Sequence, residues 1–315
     1  MSLADEILQG NVRAAARLMR DVEDGAPSAP EELKKLYPFT GNAHIIGVTG
    51  APGVGKSTVV DKMVEFLRKD SKDVGVIAID PTSPFGGGAL LGDRIRMQRH
   101  TADPGVFMRS YATRGHLGGL SRATYDTVKV MEALGKDVIL IETVGVGQDE
   151  VDILHAADTC IVILVPGLGD HIQTMKGGLL EIADIYVINK SSRNGADELA
   201  ADLTFMLEMG TQRSSRWIPP ICRTEASTGE GVTGVMDAVQ RHWGLIQEAG
   251  LREQRERQRA RTDFLEILNS SLIREAMHRL GQRTVDRIVE TIVAREHDPY
   301  SAAEDVIRNF FKKAR

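Results

Sequence analysis

One short glycine-rich segment constrains this chain more than any other feature. Residues 50–57 read Gly-Ala-Pro-Gly-Val-Gly-Lys-Ser, which fits the pattern Gly-x-x-x-x-Gly-Lys-Ser. An apolar run precedes the segment, and residues 58–67 follow it with helical periodicity. A strand, a glycine-rich turn and a helix in this order form a phosphate cradle, because backbone N–H groups and the helix N-terminus face the phosphate oxygens. We therefore predict a nucleoside triphosphate site in which Lys56 reaches the β- and γ-phosphates and Ser57 ligates Mg²⁺.

The chain after this segment alternates short apolar runs with helical stretches. Most of the runs are continuous in Val, Ile and Leu, as in strands that are buried on both faces of a parallel sheet. The six runs are His44–Thr49, Val74–Ile79, Val138–Ile141, Cys160–Val165, Ile185–Ile188 and Ile218–Cys222. Helical periodicity lies between them, for example at Leu120–Leu134 and Ala196–Met209. The alternation predicts an α/β fold with a doubly wound, mostly parallel sheet that binds its ligand at the carboxyl ends of the strands.

Both ends of the chain have helical patterns that do not alternate with strands. The apolar spacing predicts a helix or helix pair in residues 1–24, a short helix at Pro30–Leu36, and further helices after about residue 245. We interpret the dense charges of Leu251–Arg261 as a solvated helix face. The predicted parts are an N-terminal helical extension (residues 1–40), a P-loop nucleotide-binding domain (41–245) and a C-terminal helical arm (246–315). Because the arm cannot join the sheet, we predict that its apolar stripes form a homodimer.

Composition excludes several classes of function. Hydrophobic residues make up 42% and charged residues 26% of the 315, and the net charge of -5 argues against a nucleic-acid partner. Cys160 and Cys222 lie in apolar runs and are expected to be reduced core residues. The ligand spacing of a transition-metal site, a signal segment and an apolar stretch of ~18 residues are all missing from the sequence. We expect a cytoplasmic protein without a membrane partner.

Acidic residues follow two of the predicted strands. Asp80 and Glu142 each come directly after an apolar run, so both carboxylates are expected near the phosphate cradle as metal ligands, although each alone is also compatible with a helix N-cap. Glu142 precedes Gly145 by three residues, as in the metal-side motif of nucleotide hydrolases, whose glycine N–H binds the γ-phosphate. Gln148 is a candidate to orient the attacking water. Asp93 either joins the Mg²⁺ shell through water or is an ordinary surface residue.

A polar, glycine-rich segment begins at Arg109 and includes Arg114 and His116. Loops of this composition often carry binding functions. We therefore expect a moving loop that contacts a partner.

The base end of the predicted site departs from the usual guanine motif. Asn189 and Lys190 follow a predicted strand as in Asn-Lys-x-Asp, where Asn ties the loop to the cradle, Lys covers the purine and Asp accepts two hydrogen bonds from guanine. Ser192 occupies the fourth position here. Hydrogen bonds to charged groups contribute about 1.5–3 kcal/mol, so guanine selectivity could fall by about one or two powers of ten. The loop Thr224–Ser227 is expected to reach the purine O6 through its backbone.

These arguments give three sets of candidate residues. The nucleotide-binding candidates are Gly53, Val54, Gly55, Lys56, Ser57, Thr58, Gly145, Asn189, Lys190, Ser192, Thr224, Glu225 and Ala226. The catalytic candidates are Lys56, Glu142 and Gln148. The candidate metal ligands are Ser57, Asp80, Asp93 and Glu142.

Nearly the whole chain resembles the MeaB/ArgK-like P-loop GTPases, relatives of the methylmalonic aciduria type A protein. The most specific segments are Gly-Ala-Pro-Gly-Val-Gly-Lys-Ser-Thr (50–58), Asp-Pro-Thr-Ser-Pro (80–84), Ala-Thr-Arg-Gly-His-Leu-Gly-Gly-Leu (112–120), Glu-Thr-Val-Gly-Val-Gly-Gln (142–148) and Pro-Gly-Leu-Gly-Asp (166–170). Lys56, Ser57, Asp80, Asp93 and Glu142 match the phosphate and metal residues of this family.

The resemblance implies a homodimeric, Mg²⁺-dependent GTPase that acts as chaperone of an adenosylcobalamin-dependent acyl-CoA mutase. Hydrolysis of GTP to GDP would gate cofactor delivery and protect or rescue the mutase, and residues 166–178 would couple the mutase to the nucleotide. Two departures stand out: Ser192 replaces the guanine-reading Asp, so either the base contact is remade or nucleotide preference is relaxed, and Asp149 stands where the family usually has Ser. A kinase or transport ATPase, a metal-insertion GTPase and a non-hydrolysing binding module are the alternatives.

Overall fold

The computed structural model describes residues 1–81, 98–100, 102–113, 119–145, 157–167, 182–210, 217–248 and 250–312. These residues form two compact units, Met1–Arg255 and Glu256–Arg315.

A seven-stranded sheet forms the centre of the first unit. Its strands are β1 (His44–Thr49), β2 (Val74–Pro81), β3 (Val106–Thr113), β4 (Val138–Glu142), β5 (Thr159–Leu164), β6 (Ile185–Asn189) and β7 (Ile221–Thr224). Their order is β3-β2-β4-β1-β5-β6-β7, and every neighbouring pair is parallel. The predicted α/β class and parallel sheet are therefore confirmed. Strand β1 lies at the centre, where the order of strands reverses, and crevices at such points bind ligands in doubly wound sheets.

Helices cover both faces of this sheet, and further helices form the second unit. The described α-helices are α1 (Leu3–Leu8), α2 (Val12–Glu23), α3 (Ala29–Leu36), α4 (Lys56–Lys69), α5 (Gly119–Ala133), α6 (Ala196–Gly210), α7 (Val232–Glu248), α8 (Leu251–Leu280), α9 (Gln282–Val293) and α10 (Pro299–Lys312). Helices α4, α6 and α7 contribute to one apolar core, and α1, α2, α3 and α5 to the other. The N-terminal helices are thus part of the first unit, because they cover a sheet face that would otherwise be exposed.

Strand β3 corrects one prediction. Arg109 was expected in a moving loop, but it lies inside β3, which pairs with β2 over its whole length. Its guanidinium forms an ion pair with Glu23 at 2.5 Å. Strand β3 is at the edge of the sheet, and the polar Arg109 and Ser110 lie between its buried Phe107 and Tyr111. This interruption of the apolar run explains why the sequence pattern hid the strand.

The amino ends of the strands enclose a small polar cluster, opposite the phosphate cradle. His44 Nε2 lies 2.8 Å from Thr159 Oγ1, and that hydroxyl lies 3.0 Å from Nδ1 of His242. His242 Nε2 is 3.2 Å from Asp184 Oδ1. Burial lowers the pKa of His44 to about 3, with a further contribution from the nearby His242. His44 is therefore neutral at physiological pH, and the cluster joins β1, β5 and α7.

The charged run at the start of α8 is only partly solvated. Arg252 donates to the Gly41 carbonyl oxygen and lies over the Trp243 ring, with 5.0 Å between Cζ and the ring centroid. Arg255 donates to the Asp158 carbonyl oxygen. These two side chains therefore hold the start of α8, which belongs to the first unit, against the rest of that unit.

The second unit contains most of α8 together with α9 and α10. Large apolar side chains remain exposed along these helices, including Phe264, Leu268 and Leu272 on one stripe of α8. No helix in the described ranges is long and apolar enough to span a bilayer. Cys160 in β5 and Cys222 in β7 are not joined in a disulfide.

Candidate nucleotide-binding site

The glycine-rich segment leaves β1 and enters α4 as the sequence predicted. Gly55 is the N-cap of α4 and has a φ of 96°, a conformation that favours glycine. A Cβ at this position would lie 2.5 Å from Asn189 Nδ2. Glycine is therefore required both for the turn and for the close approach of the loop after β6.

Lys56 is the first residue of α4 and is 92% buried, with 8% of its surface exposed. Its ammonium group donates to the carbonyl oxygens of Gly50 at 2.8 Å, Ala51 at 3.3 Å and Val144 at 2.9 Å. A buried ammonium group needs such partners, because an unpaired charge in a low-dielectric site is very costly. Lys56 thus joins the cradle to the loop that follows β4.

Ser57 and Glu142 meet beside this lysine. The Ser57 hydroxyl donates to Oε1 of Glu142 at 2.6 Å, and Glu142 is only 6% exposed. Strand β4 lies next to β1, and the parallel register pairs Val48 with Glu142, so the sheet itself places this carboxylate beside the cradle. A hydroxyl and a carboxylate are the oxygen ligands that Mg²⁺ prefers alongside nucleotide phosphates.

Asp80 lies in β2, the other neighbour of β4, near the same edge of the sheet. The register pairs Ala78 with Glu142, so Asp80 is two residues further along its strand. Asp93 and Gln148 lie outside the described residues, as do Arg114 and His116. Groups of three or more His, Cys, Asp or Glu side chains arranged to hold a metal are absent from the described ranges.

Gly145 follows β4 at the point where the loop crosses the cradle. It has a φ of 95°, and a Cβ there would overlap the Gly50 carbonyl oxygen and lie 2.8 Å from Lys56 Nζ. The glycine of the Glu142–Gly145 motif therefore permits contact between the two loops. Two residues that sequence reasoning missed support this contact: Thr143 Oγ1 donates to Thr49 Oγ1 at 2.8 Å. The sequence signal for these two residues is a polar side chain at the end of an apolar run: Thr49 is the last residue of β1, and Thr143 directly follows β4.

Asn189 connects the base end of the site to the phosphate end. Its Nδ2 donates to the Val54 carbonyl oxygen at 2.8 Å, and its Oδ1 accepts from Thr224 Oγ1 at 3.2 Å and from the Ala226 amide at 3.1 Å. Lys190 Nζ donates to the Gly53 carbonyl oxygen at 2.8 Å. The structure therefore gathers the loops after β1, β6 and β7 around one amide side chain.

Ser192 lies beside a carboxylate from the neighbouring loop. Its hydroxyl donates to Oε2 of Glu225 at 2.8 Å, and Ser227 Oγ donates to the other oxygen, Oε1, at 3.0 Å. The hydrogen bond from Ser192, followed by that from Ser227, lowers the pKa of Glu225 below its ordinary value. Glu225 is thus ionised near neutral pH.

Comparison with known proteins decides the family. The profile of the methylmalonyl-CoA mutase-associated GTPase MeaB matches residues 15–280. The chain belongs to the MeaB family of GTPases. This result confirms the family resemblance, and it identifies the protein as a GTP hydrolase.

Individual relatives of this MeaB-family GTPase are similar over most of its length. A putative GTPase of Pyrococcus horikoshii is 47% identical over 97% of this chain and 96% of its own. The mitochondrial methylmalonic aciduria type A homolog of Caenorhabditis elegans is 31% identical over 89% of this chain and 72% of its own. A solved structure titled LAO/AO transport system kinase aligns with a TM-score of 0.68 at 24% identity, covering 98% of this chain and 96% of that one, and shares the fold.

Proposed function

We propose that this protein is a Mg²⁺-dependent GTPase that acts as chaperone of an adenosylcobalamin-dependent acyl-CoA mutase of the methylmalonyl-CoA mutase type. The family description and the name of the Caenorhabditis elegans relative support the partner. The observation that carries the hydrolytic part is the Ser57–Glu142 contact beside the buried ammonium group of Lys56. In this proposal, hydrolysis of GTP gates cofactor delivery and protects or rescues the mutase.

The described residues fit a nucleotide–metal complex. Ser57 and Glu142 would hold the Mg²⁺ ion, with Asp80 and Asp93 as the further predicted ligands. When bound, the ion would neutralise negative charge that develops on the phosphate oxygens. Lys56 would add a second positive charge at the β- and γ-phosphates.

The contacts of Lys56 suggest how the bound nucleotide could change the conformation of the loop after β4. Its ammonium group has three N–H donors, one of which is engaged by the Val144 carbonyl oxygen. Phosphate oxygens compete for the same donors, and charge-assisted hydrogen bonds to them are stronger than those to neutral carbonyls. Phosphate binding would therefore release Val144 and free the Gly145 amide to contact the γ-phosphate. Loss of that phosphate would restore the Lys56–Val144 contact.

The direct test measures GTP hydrolysis by the purified protein with and without an adenosylcobalamin-dependent acyl-CoA mutase. We expect slow hydrolysis alone and at least a tenfold increase with the cognate mutase, within the range that partner proteins produce in P-loop GTPases. Formation of GDP and release of phosphate should be measured together. GDP formed without an equal amount of free phosphate would show that the phosphate was transferred to an acceptor, as by a kinase.

The Lys56→Ala variant is the matched control for this experiment. It should hydrolyse GTP about 10²–10³-fold more slowly than the wild type, and the mutase should not restore the rate. Hydrolysis by the wild type that no acyl-CoA mutase changes would contradict the chaperone role while leaving the GTPase activity intact.

We further propose that the C-terminal helices form a homodimer. Phe264, Leu268 and Leu272 lie four residues apart on one stripe of α8, and Phe264 is 61% exposed. Burying large apolar side chains is favourable by about 1.5–3 kcal/mol each, which gives a self-complementary stripe a reason to pair.

Sedimentation velocity should show a dimer for the wild type and a monomer for Leu268→Glu/Leu272→Glu. Ser270→Glu adds a charge to the exposed surface of the same helix and should remain dimeric. A wild-type protein that is monomeric at micromolar concentration would contradict the proposed dimer.

A further inference from the structure

The side chain of Glu225 supplies a carboxylate where the base-reading motif lacks one. Ser192 is exposed and stands at the motif position that usually carries Asp. The Glu225 carboxylate, from the loop after β7, lies 2.8 Å from the Ser192 hydroxyl. A negative charge is therefore present at this position of the site, although it comes from a different loop.

Backbone contacts fix the two loops against each other. The Ser191 amide donates to the Thr224 carbonyl oxygen at 3.1 Å, directly before Ser192 and Glu225 in their respective loops. The Glu225 amide donates to the Glu230 carbonyl oxygen at 3.0 Å, and the Glu225 carbonyl oxygen accepts from Gly229 at 3.0 Å. The pairing of Glu225 with Ser192 thus rests on an ordered turn that is joined to β6.

The carboxylate retains capacity for a ligand. An ionised carboxylate has about four acceptor positions on its two oxygens. Ser192 occupies one position on Oε2 and Ser227 one on Oε1. The Ser192 backbone amide adds a further interaction with this carboxylate. These three donors leave part of the acceptor capacity of the carboxylate for N–H donors on a flat ligand edge.

We propose that the Glu225 carboxylate reads guanine by accepting hydrogen bonds from N1–H and the N2 amino group, while Ser192 and Ser227 orient it. This proposal rests on the guanine-nucleotide binding of the proposed function and names its specificity-determining residue. It means that the base contact is remade, so the relaxed selectivity that Ser192 alone would produce does not occur.

Adenine and xanthine differ from guanine at the edge that the Glu225 carboxylate would contact. Adenine presents an N1 acceptor and a C2–H at the corresponding edge and offers a carboxylate no N–H pair. Xanthine keeps N1–H but has a carbonyl oxygen at C2, which a carboxylate repels. A glutamine side chain at position 225 would accept from N1–H and donate to that oxygen, so Glu225→Gln should convert a guanine site into a xanthine site.

Calorimetric titration with GDP, XDP and ADP tests this conversion. We expect the wild type to prefer GDP over both others. In Glu225→Gln, GDP affinity should fall by about tenfold to a hundredfold and XDP affinity should rise by at least tenfold. The gain of XDP binding is a readout that a loop merely destabilised by the substitution would not produce.

Glu230→Gln is the matched control, because it makes the same chemical change at an exposed residue of the same turn. It should leave GDP affinity within about twofold of the wild type. The exchange Ser192→Asp/Glu225→Ser moves the carboxylate to the usual position and should restore GDP preference over XDP. Thermal unfolding of each variant establishes that it is folded.

The outcomes separate this inference from the proposed function. A wild type that binds GDP, together with a folded Glu225→Gln variant of unchanged GDP and XDP affinity, would overturn the role of Glu225 alone. A wild type that binds no guanine nucleotide would overturn both.

Discussion

Replacing Lys56 with alanine is expected to lower kcat for GTP hydrolysis by about 10²–10³-fold. Removing one preorganised group that stabilises transition-state charge typically costs about 2.7–4 kcal/mol. Lys56 fits this role because it is buried at the start of α4 and its ammonium group already lies between the cradle and the loop after β4. Phosphate release under single-turnover conditions measures the effect on the chemical step.

Lys69→Ala is the control for this substitution, because Lys69 is an exposed lysine at the other end of α4. Its hydrolysis rate should stay within about twofold of the wild type. Since alanine at position 56 leaves buried carbonyl groups without their donor, Lys56→Met provides a second variant that fills more of the same volume. A folded Lys56 variant with nearly normal kcat would rule out the proposed catalytic role.

Replacing Glu142 with glutamine is expected to lower hydrolysis by about tenfold to a hundredfold at low Mg²⁺ and to shift the Mg²⁺ requirement to higher concentration. In the wild type, Ser57 donates to Glu142 at 2.6 Å, and the amide oxygen of glutamine can accept the same hydrogen bond. The substitution therefore removes mainly the negative charge of the side chain. Mg²⁺ is commonly bound through one or two carboxylates together with substrate phosphates, so loss of this charge weakens the ion's site.

A Mg²⁺ titration of hydrolysis checks this effect, and binding of GDP in EDTA checks the nucleotide contacts alone. GDP affinity without metal should change by less than about threefold. Glu65→Gln alters a partly exposed carboxylate on α4, which pairs with Lys62 at 2.6 Å, and should leave the Mg²⁺ dependence unchanged. Reduced hydrolysis with an unaltered Mg²⁺ requirement would argue against Glu142 as a metal ligand.

The strands beside the cradle were predictable because they are buried on both faces. Strand β1 coincides with its predicted bounds, and β4 differs by one residue. Strand β3 was missed, since an edge strand tolerates polar residues such as Arg109 that interrupt an apolar pattern. The predicted strand at Ile218–Cys222 is found as β7, Ile221–Thr224, because the two prolines before it cannot donate ladder hydrogen bonds.

Local sequence determined the phosphate end of this protein. The glycine-rich turn, Lys56 and Ser57 are adjacent in the chain, and their chemistry depends on a strand–turn–helix unit that the same residues encode. Glu142 is distant in sequence, but its position after an apolar strand was enough to place it at the same sheet edge.

Tertiary structure decided the base end. Ser192 and Glu225 are 33 residues apart, and nothing in their separate patterns indicates that one hydroxyl binds the other's carboxylate. Their contact depends on β6 and β7 being parallel neighbours, so that the loops at their carboxyl ends meet. Sequence alone therefore predicted a phosphate site and showed that Ser192 replaces the usual aspartate. Only the fold placed the Glu225 carboxylate beside Ser192.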